Sequence, residues 1–166
     1  IDEVRQELSE QGYITAGKSR NGKINARNRK SKKAAKNAAG SKPLHFKSSD
    51  GYDIFVGKNN KQNDMLTLKK ASSNDIWLHT KDIHGSHVII KKQQNNIPEN
   101  TVIEAAMLAA WYSKARMSSN VPVDYTEVRH VSKPSGAKPG MVIYVNNKTV
   151  YVTPDEKLIK KLAVDS

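Results

Sequence analysis

Residues 75–91 read Asp-Ile-Trp-Leu-His-Thr-Lys-Asp-Ile-His-Gly-Ser-His-Val-Ile-Ile-Lys. Two apolar runs, Asp75–Thr80 and His87–Lys91, flank a turn. Short runs rich in Ile, Val and Trp around turn-forming residues read as two paired strands. The turn region concentrates Trp77, His79, Lys81, Asp82, His84, the Gly85-Ser86 pair and His87. A hairpin built only for stability does not normally carry so many titratable and hydrogen-bonding groups. The density points to a recognition surface or a reactive site.

Outward from this hairpin, strands come first, then one helix, then strands again. Leu44–Phe46 and Tyr52–Val56 flank Ser48-Ser49-Asp50-Gly51, a turn-rich hairpin connection. Lys58 to Asp64 is an Asn-rich stretch expected to be a polar loop, and Met65–Leu68 fits a short helix. Thr101, with Glu104 three residues on, predicts a capping box and a helix running to about Lys114. Ala105, Ala106, Ala109, Ala110 and Ala115 allow close approach to a sheet, and apolar residues cover most of this helix, so it should be largely buried. Trp111 reads as core or edge-of-core packing. Val121–Val131 alternates as a strand. Met141–Val145 and Thr149–Val152 flank Asn146-Asn147-Lys148 as a tight hairpin, and Pro154–Leu162 places acids early and cations late, as a short helix prefers. The fold class is α+β, a mostly antiparallel sheet packed on one main helix.

The remaining chain precedes this domain. Ile1, Val4 and Leu8 fall at heptad spacing before Gly12, the pattern of the end of a coiled-coil helix over residues 1–14. Residues 15–42 hold ten cations and no acid, so most of the formal charge of +12 sits there. With Ile24 as its one large apolar side chain, this stretch cannot bury enough surface to offset its ordering entropy, and it reads as a flexible basic linker. Its role is either a solvating tether or a polyanion contact that works by counterion release. The domain proper should occupy residues 43–166.

Composition narrows the chemistry. There is no cysteine, which rules out disulfides and thiolate–zinc sites and fits a reducing compartment. No apolar run reaches the roughly 18 residues of a transmembrane helix. The chain starts at Ile1 without a basic-then-apolar leader and is expected to be a fragment of a longer protein. At the bend, four readings compete. His79, His84 and His87, with Asp82, offer nitrogen and oxygen ligands for zinc, but their spacing matches no strong signature, and alternation can send His79 and His87 to different faces. A Ser86-His-Asp hydrolase lacks a nucleophile elbow and an evident oxyanion hole. In the third reading Trp77 and His87 are core residues and Gly85 supplies a positive φ. In the fourth, Trp77 and the imidazoles stack on bases, Lys81, Lys91 and Lys92 meet phosphates, and Ser86 donates a hydrogen bond.

Asp75-Ile76-Trp77-Leu78-His79, Lys81-Asp82-Ile83 and Gly85-Ser86-His87-Val88-Ile89-Ile90 together resemble the signature of the NFACT RNA-binding domain, the C-terminal region of the RqcH/NEMF/FbpA family. Ser48–Gly51, Val56–Asn60 and Gln62–Asp64 resemble its early blocks. Glu104-Ala105-Ala106, Leu108-Ala109-Ala110 and Tyr112-Ser113 resemble its helix, and Val131–Pro134 with Gly136–Val142 its later strands. The likeness covers about residues 43–153. It departs at His84, where the family commonly has Pro, and this weakens the three-histidine zinc site.

The resemblance implies ribosome-associated quality control. Family members bind obstructed large ribosomal subunits and recruit tRNA, and in bacteria they use alanyl-tRNA to append C-terminal alanine tails. This implies partners in tRNA and the large ribosomal subunit, a cytoplasmic, ribosome-associated location, and a binding domain that is not itself an enzyme and needs no metal or cofactor. Some Gram-positive members are described as fibronectin-binding adhesins, so the alternative is a host fibronectin-binding module at the cell surface. The disordered acidic repeats usual in strand-adding fibronectin ligands are absent. The nucleic-acid contacts expected are Trp77, His79, Lys81, Asp82, Ser86, His87, Lys91 and Lys133 in the domain. In the linker they are Lys18, Arg20, Arg27, Arg29, Lys30, Lys32 and Lys33.

Overall fold

The computed structural model describes residues 42–164. The coiled-coil reading of 1–14 and almost all of the basic linker lie outside the described residues. Within them, strands β1 (Leu44–Lys47), β2 (Asp53–Val56), β3 (Ile76–Thr80), β4 (Val88–Ile90), β5 (Val121–Glu127) and β8 (Lys148–Val152) form one antiparallel sheet in the order β1-β2-β4-β3-β5-β8. A second, two-stranded sheet pairs β6 (Val131–Ser132) with β7 (Ile143–Tyr144). The helices are α1 (Asn60–Asp64), α2 (Glu99–Trp111) and α3 (Glu156–Leu162), and a π-helical turn over Met65–Lys70 follows α1. The class is the expected α+β, with a mostly antiparallel sheet on one main helix.

Strand alternation divides the sheet between two cores. Leu78, Val88, Ile90, Ile54 and Val56 face α2, whose Ala105, Ala106, Leu108, Ala109 and Ala110 are fully buried against them. The alanines let the helix axis approach the sheet, so large strand side chains fill the gap at interior density. The opposite face carries Trp77 and Ile89, covered by Leu66 of the π turn and by Val131, Val142 and Tyr144. A sheet covered on both faces explains why the 75–91 runs are so continuously apolar.

Four local expectations change. The segment 58–64 is helical because Asn59 caps it, accepting from the Gln62 amide at 2.8 Å, while the Gln62 side chain reaches back to the Lys58 N–H at 2.7 Å. Helix α2 begins at Glu99 behind Pro98 and ends at Trp111. Its predicted capping box does not form, because both members are spent on the β1–β2 turn. Thr101 donates to Asp50 and meets Ser48, and the buried Glu104 accepts from the Ser49 N–H and hydroxyl at 2.8 and 2.6 Å. Strand β5 stops at Glu127, and residues 128–130 form a 3-10 turn before β6.

The hairpin expected around Asn146-Asn147-Lys148 is also absent, since β7 pairs with β6 and β8 with β5. Buried Asp124 sets that division. It accepts from the Tyr144 hydroxyl at 2.7 Å and the Thr149 hydroxyl at 2.6 Å, holding the chain on both sides of Asn146, which has φ 56°.

Candidate nucleic-acid interface

The register of the 75–91 hairpin pairs Trp77 with Ile89 and Leu78 with Val88, which sets His79 beside His87 on one face. The rings confirm this. His79 lies parallel to Trp77 at 5.8 Å, His87 meets both edge-on at 5.5 Å, and Tyr144 closes the cluster at 4.6 Å from Trp77. The expectation that the two histidines part to opposite faces is therefore corrected. Trp77, His79 and His87 are 1%, 5% and 1% exposed, so none presents a ring face to a base in this structure. Their burial follows from the second core, which seals this side of the sheet.

His87 is wired into that core. Its Nε2 faces the Gly140 carbonyl at 3.2 Å and its Nδ1 lies 2.9 Å from the Thr67 hydroxyl. A neutral ring satisfies both by donating from Nε2 to the carbonyl and accepting at Nδ1 from Thr67. Burial above all, then the positive field of His79 and Lys133, pushes the ring down from 6.5 to about 3, against the opposing pull of the Gly140 carbonyl. The unfolded chain then binds the extra proton and the folded one does not, so stability present above pH 6.5 is lost as pH falls toward 3. Between pH 7 and pH 5 the expected loss is about 2 kcal/mol. Urea unfolding at the two pH values should show it, and His87→Gln should flatten the difference.

Two predicted cations are committed to internal pairs. Lys91 lies 2.6 Å from the buried Asp75 carboxylate, which also accepts from the Ser72 and Lys92 amides. Lys133 bridges Asp64 at 2.8 Å and the Lys138 carbonyl at 2.7 Å, and Asp64 in turn accepts from the Gly140 amide. These pairs tie the 133–140 loop to α1 and the strand end to the β3 entry, so both lysines already have partners within the fold. Lys81 and Asp82 stand exposed at the bend, and Ser86 is half-buried. The positive φ of this bend falls on Asp82, at 54°, not on Gly85. The linker residues Lys18, Arg20, Arg27, Arg29, Lys30, Lys32 and Lys33 lie outside the described residues. Among the described residues no group of three or more His, Cys, Asp or Glu is placed to hold a metal ion.

The structure adds a cleft of about 570 Å³ that the sequence reading missed. Three segments wall it: the β2–α1 connection at Gly57–Asn60, the β3–β4 bend at His84–Ser86, and the end of α2 at Tyr112–Arg116. The segments are stitched together by backbone bonds, Gly57 N–H to His87 O at 3.1 Å, Ser86 N–H to Tyr112 O at 3.1 Å and Lys114 N–H to His84 O at 3.0 Å. Both glycines permit close approach. A Cβ on Gly85 would sit 2.9 Å from Ser113 Cβ, and one on Gly57 would sit 1.9 Å from Asn63 Oδ1. Asn63 cannot simply swing away, because it is buried and accepts from the His87 N–H at 3.2 Å. Gly57→Ala is expected to cost about 1–3 kcal/mol, measured by chemical unfolding.

Lys58, Lys114 and Arg116 line this cleft and no acid does. The negative end of the α2 dipole would oppose an anion there. It is largely quenched: Ser113 Oγ donates to the Ala110 carbonyl at 2.7 Å, Arg116 Nε to the Trp111 carbonyl at 2.7 Å, and Ser86 N–H takes that of Tyr112. Arg116 also lies over the half-buried Trp111 ring at 4.6 Å. Burial raises the Tyr112 hydroxyl above its usual range, with Arg116 opposing, so it stays a donor at neutral pH. A second cleft, of about 530 Å³, lies near the start of α2 and has mixed charge, with Lys92 and Lys148 beside Glu99 and Glu127. The signal missed was spatial: Lys58 stands in a polar loop and Lys114 and Arg116 just past a helix, and only the fold joins them.

Comparison with known proteins places this geometry in a family. The family model described as the NFACT protein RNA binding domain matches residues 42–146. The Rqc2 homolog RqcH of Bacillus subtilis (strain 168) is 46% identical over 164 residues, covering 98% of this chain and 26% of that protein. The Rqc2 homolog RqcH of Streptococcus suis (strain 05ZYH33) is 43% identical over 166 residues, covering 99% and 27%. The chain thus spans about a quarter of the length of these relatives. The solved C-terminal part of the fibronectin/fibrinogen-binding protein from Streptococcus suis superposes with a TM-score of 0.72 at 46% identity, over 75% of this chain and 50% of that one. The chain belongs to the NFACT protein RNA binding domain family.

Proposed function

We propose that this chain is the RNA-gripping domain of a ribosome-associated quality control factor, acting by binding and positioning and not by bond chemistry of its own. The observation that carries the reading is the match of residues 42–146 to an RNA-binding domain family. The RqcH relatives, similar over nearly the whole chain, support a ribosome quality control role. On this reading the setting is an obstructed large ribosomal subunit in the cytoplasm to which alanyl-tRNA is brought for alanine tailing. The basic segment 15–42 supplies long-range attraction to phosphate, and the folded domain (residues 43–166) supplies defined contacts through Lys81, Asp82, Ser86 and the cationic cleft.

A second reading rests on the Streptococcus suis fibronectin/fibrinogen-binding protein whose C-terminal structure this domain matches. It makes the same fold a matrix-binding module at the cell surface. The two separate in one surface plasmon resonance competition at physiological salt, with residues 1–166 immobilised. The RNA reading expects tRNA to bind and excess fibronectin to leave it in place. Fibronectin binding that is indifferent to tRNA, with no tRNA signal, would replace the RNA reading with the adhesin one.

A further inference from the structure

Resting on the RNA-binding reading, we propose that the cleft between the β2–α1 connection, the β3–β4 bend and the end of α2 takes an unpaired nucleotide of single-stranded RNA. Lys58, Lys114 and Arg116 receive its phosphates and neutral groups deeper in the recess receive its base. Three observations carry this. The first is shape. A concavity of about 570 Å³ lies within the roughly 300–1,000 Å³ typical of small-ligand sites, whereas duplex RNA is gripped across open surface by its shape and 2′-hydroxyls. A recess suits a base that has left its stack.

The second is charge. The cleft has three cations and no acid, unlike the mixed-charge cleft near the start of α2. The Lys58 and Lys114 side chains are exposed and make no hydrogen bond or ion pair among the described residues, so both are available to phosphate, in contrast to Lys91 and Lys133. The third is unmet polar capacity. The side chains of Asn60 and Ser86 and the Tyr112 hydroxyl line the recess without a hydrogen-bond partner among the described residues. Such groups fit the edges of a base and a ribose hydroxyl. The bonds that quench the helix end also hold this wall rigid, so little ordering accompanies binding.

The test uses the full 166-residue chain, a labelled single-stranded oligoribonucleotide of mixed sequence, and an RNA duplex of matched length. Lys58→Ala/Lys114→Ala removes two exposed side chains without touching the core. It should weaken single-strand binding at least about tenfold and lower the salt slope by about 1 to 2, while Lys148→Ala at the other cleft leaves both unchanged. Circular dichroism of each variant should match the parent. Ser86→Ala and Asn60→Ala should weaken single-strand binding without altering the salt slope, and duplex binding should change little throughout. Parental RNA binding with an unaffected Lys58/Lys114 variant overturns the cleft assignment and leaves the RNA reading standing. Equal losses for single strand and duplex overturn the unpaired-nucleotide claim. A variant that loses fibronectin while keeping RNA assigns the cleft to an acidic protein and overturns the proposal. No RNA binding by the parent chain overturns the RNA reading and this inference with it.

Discussion

Trp77→Ala is expected to destabilise the domain by about 3–5 kcal/mol, the usual cost of emptying a buried indole site. Against a total stability of about 5–15 kcal/mol, that change threatens the fold itself. The ring is 1% exposed, packed on His79, His87 and Tyr144, and its removal would open the second core under the π turn. Trp77→Phe should cost less than half as much by the same packing argument, because the indole Nε1 has no hydrogen-bond partner to lose. Unfolding in urea followed by circular dichroism checks both. Trp77→Phe should keep RNA affinity. A stable, fully folded Trp77→Ala chain with lost RNA binding would return the ring to the interface and contradict its placement in the core.

The second large effect concerns the basic segment. Replacing its ten Lys and Arg residues with Gln should leave the folded domain unchanged and lower the salt slope of RNA binding by about 3 to 7. The upper figure corresponds to every cation displacing a counterion from single-stranded RNA, and the lower to about half of them. Fluorescence anisotropy at several salt concentrations measures it. An unaltered slope would make residues 15–42 a solvating tether and leave all phosphate contact to the folded domain.

How far the sequence carried depends on what each signal measures. The 75–91 hairpin was legible because two apolar runs around a turn have few alternative folds, and the apolar residues over most of the circumference of α2 identified the main helix. The facing of His79 and His87 was also available from the sequence. A hairpin centred on Ile83 sets residues 79 and 87 opposite each other and on one face. Capping was misjudged at both ends of the spectrum. Asn59 with Gln62 was a cap hidden in an Asn-rich stretch, and Thr101 with Glu104 had the local form of a cap but served a distant turn.

The candidate site was the least legible part. The residues with conspicuous chemistry, Trp77, His79 and His87, proved to be the interior of a second core, since short range says nothing about what covers a strand's other face. Lys91 and Lys133 were plausible phosphate ligands by charge and became partners of Asp75 and Asp64, a pairing across 16 and 69 residues that no local pattern encodes. Lys58, Lys114 and Arg116 were unremarkable one by one. Their meaning comes from convergence on one acid-free cleft.

The most direct test of the central claim is the binding of tRNA to residues 1–166 as a function of salt. Affinity should fall log-linearly, by about 10²–10⁴ between roughly 50 and 200 mM salt, as expected for several phosphates engaged at once. Absence of tRNA binding at the low-salt end, or binding that salt does not weaken, would contradict it.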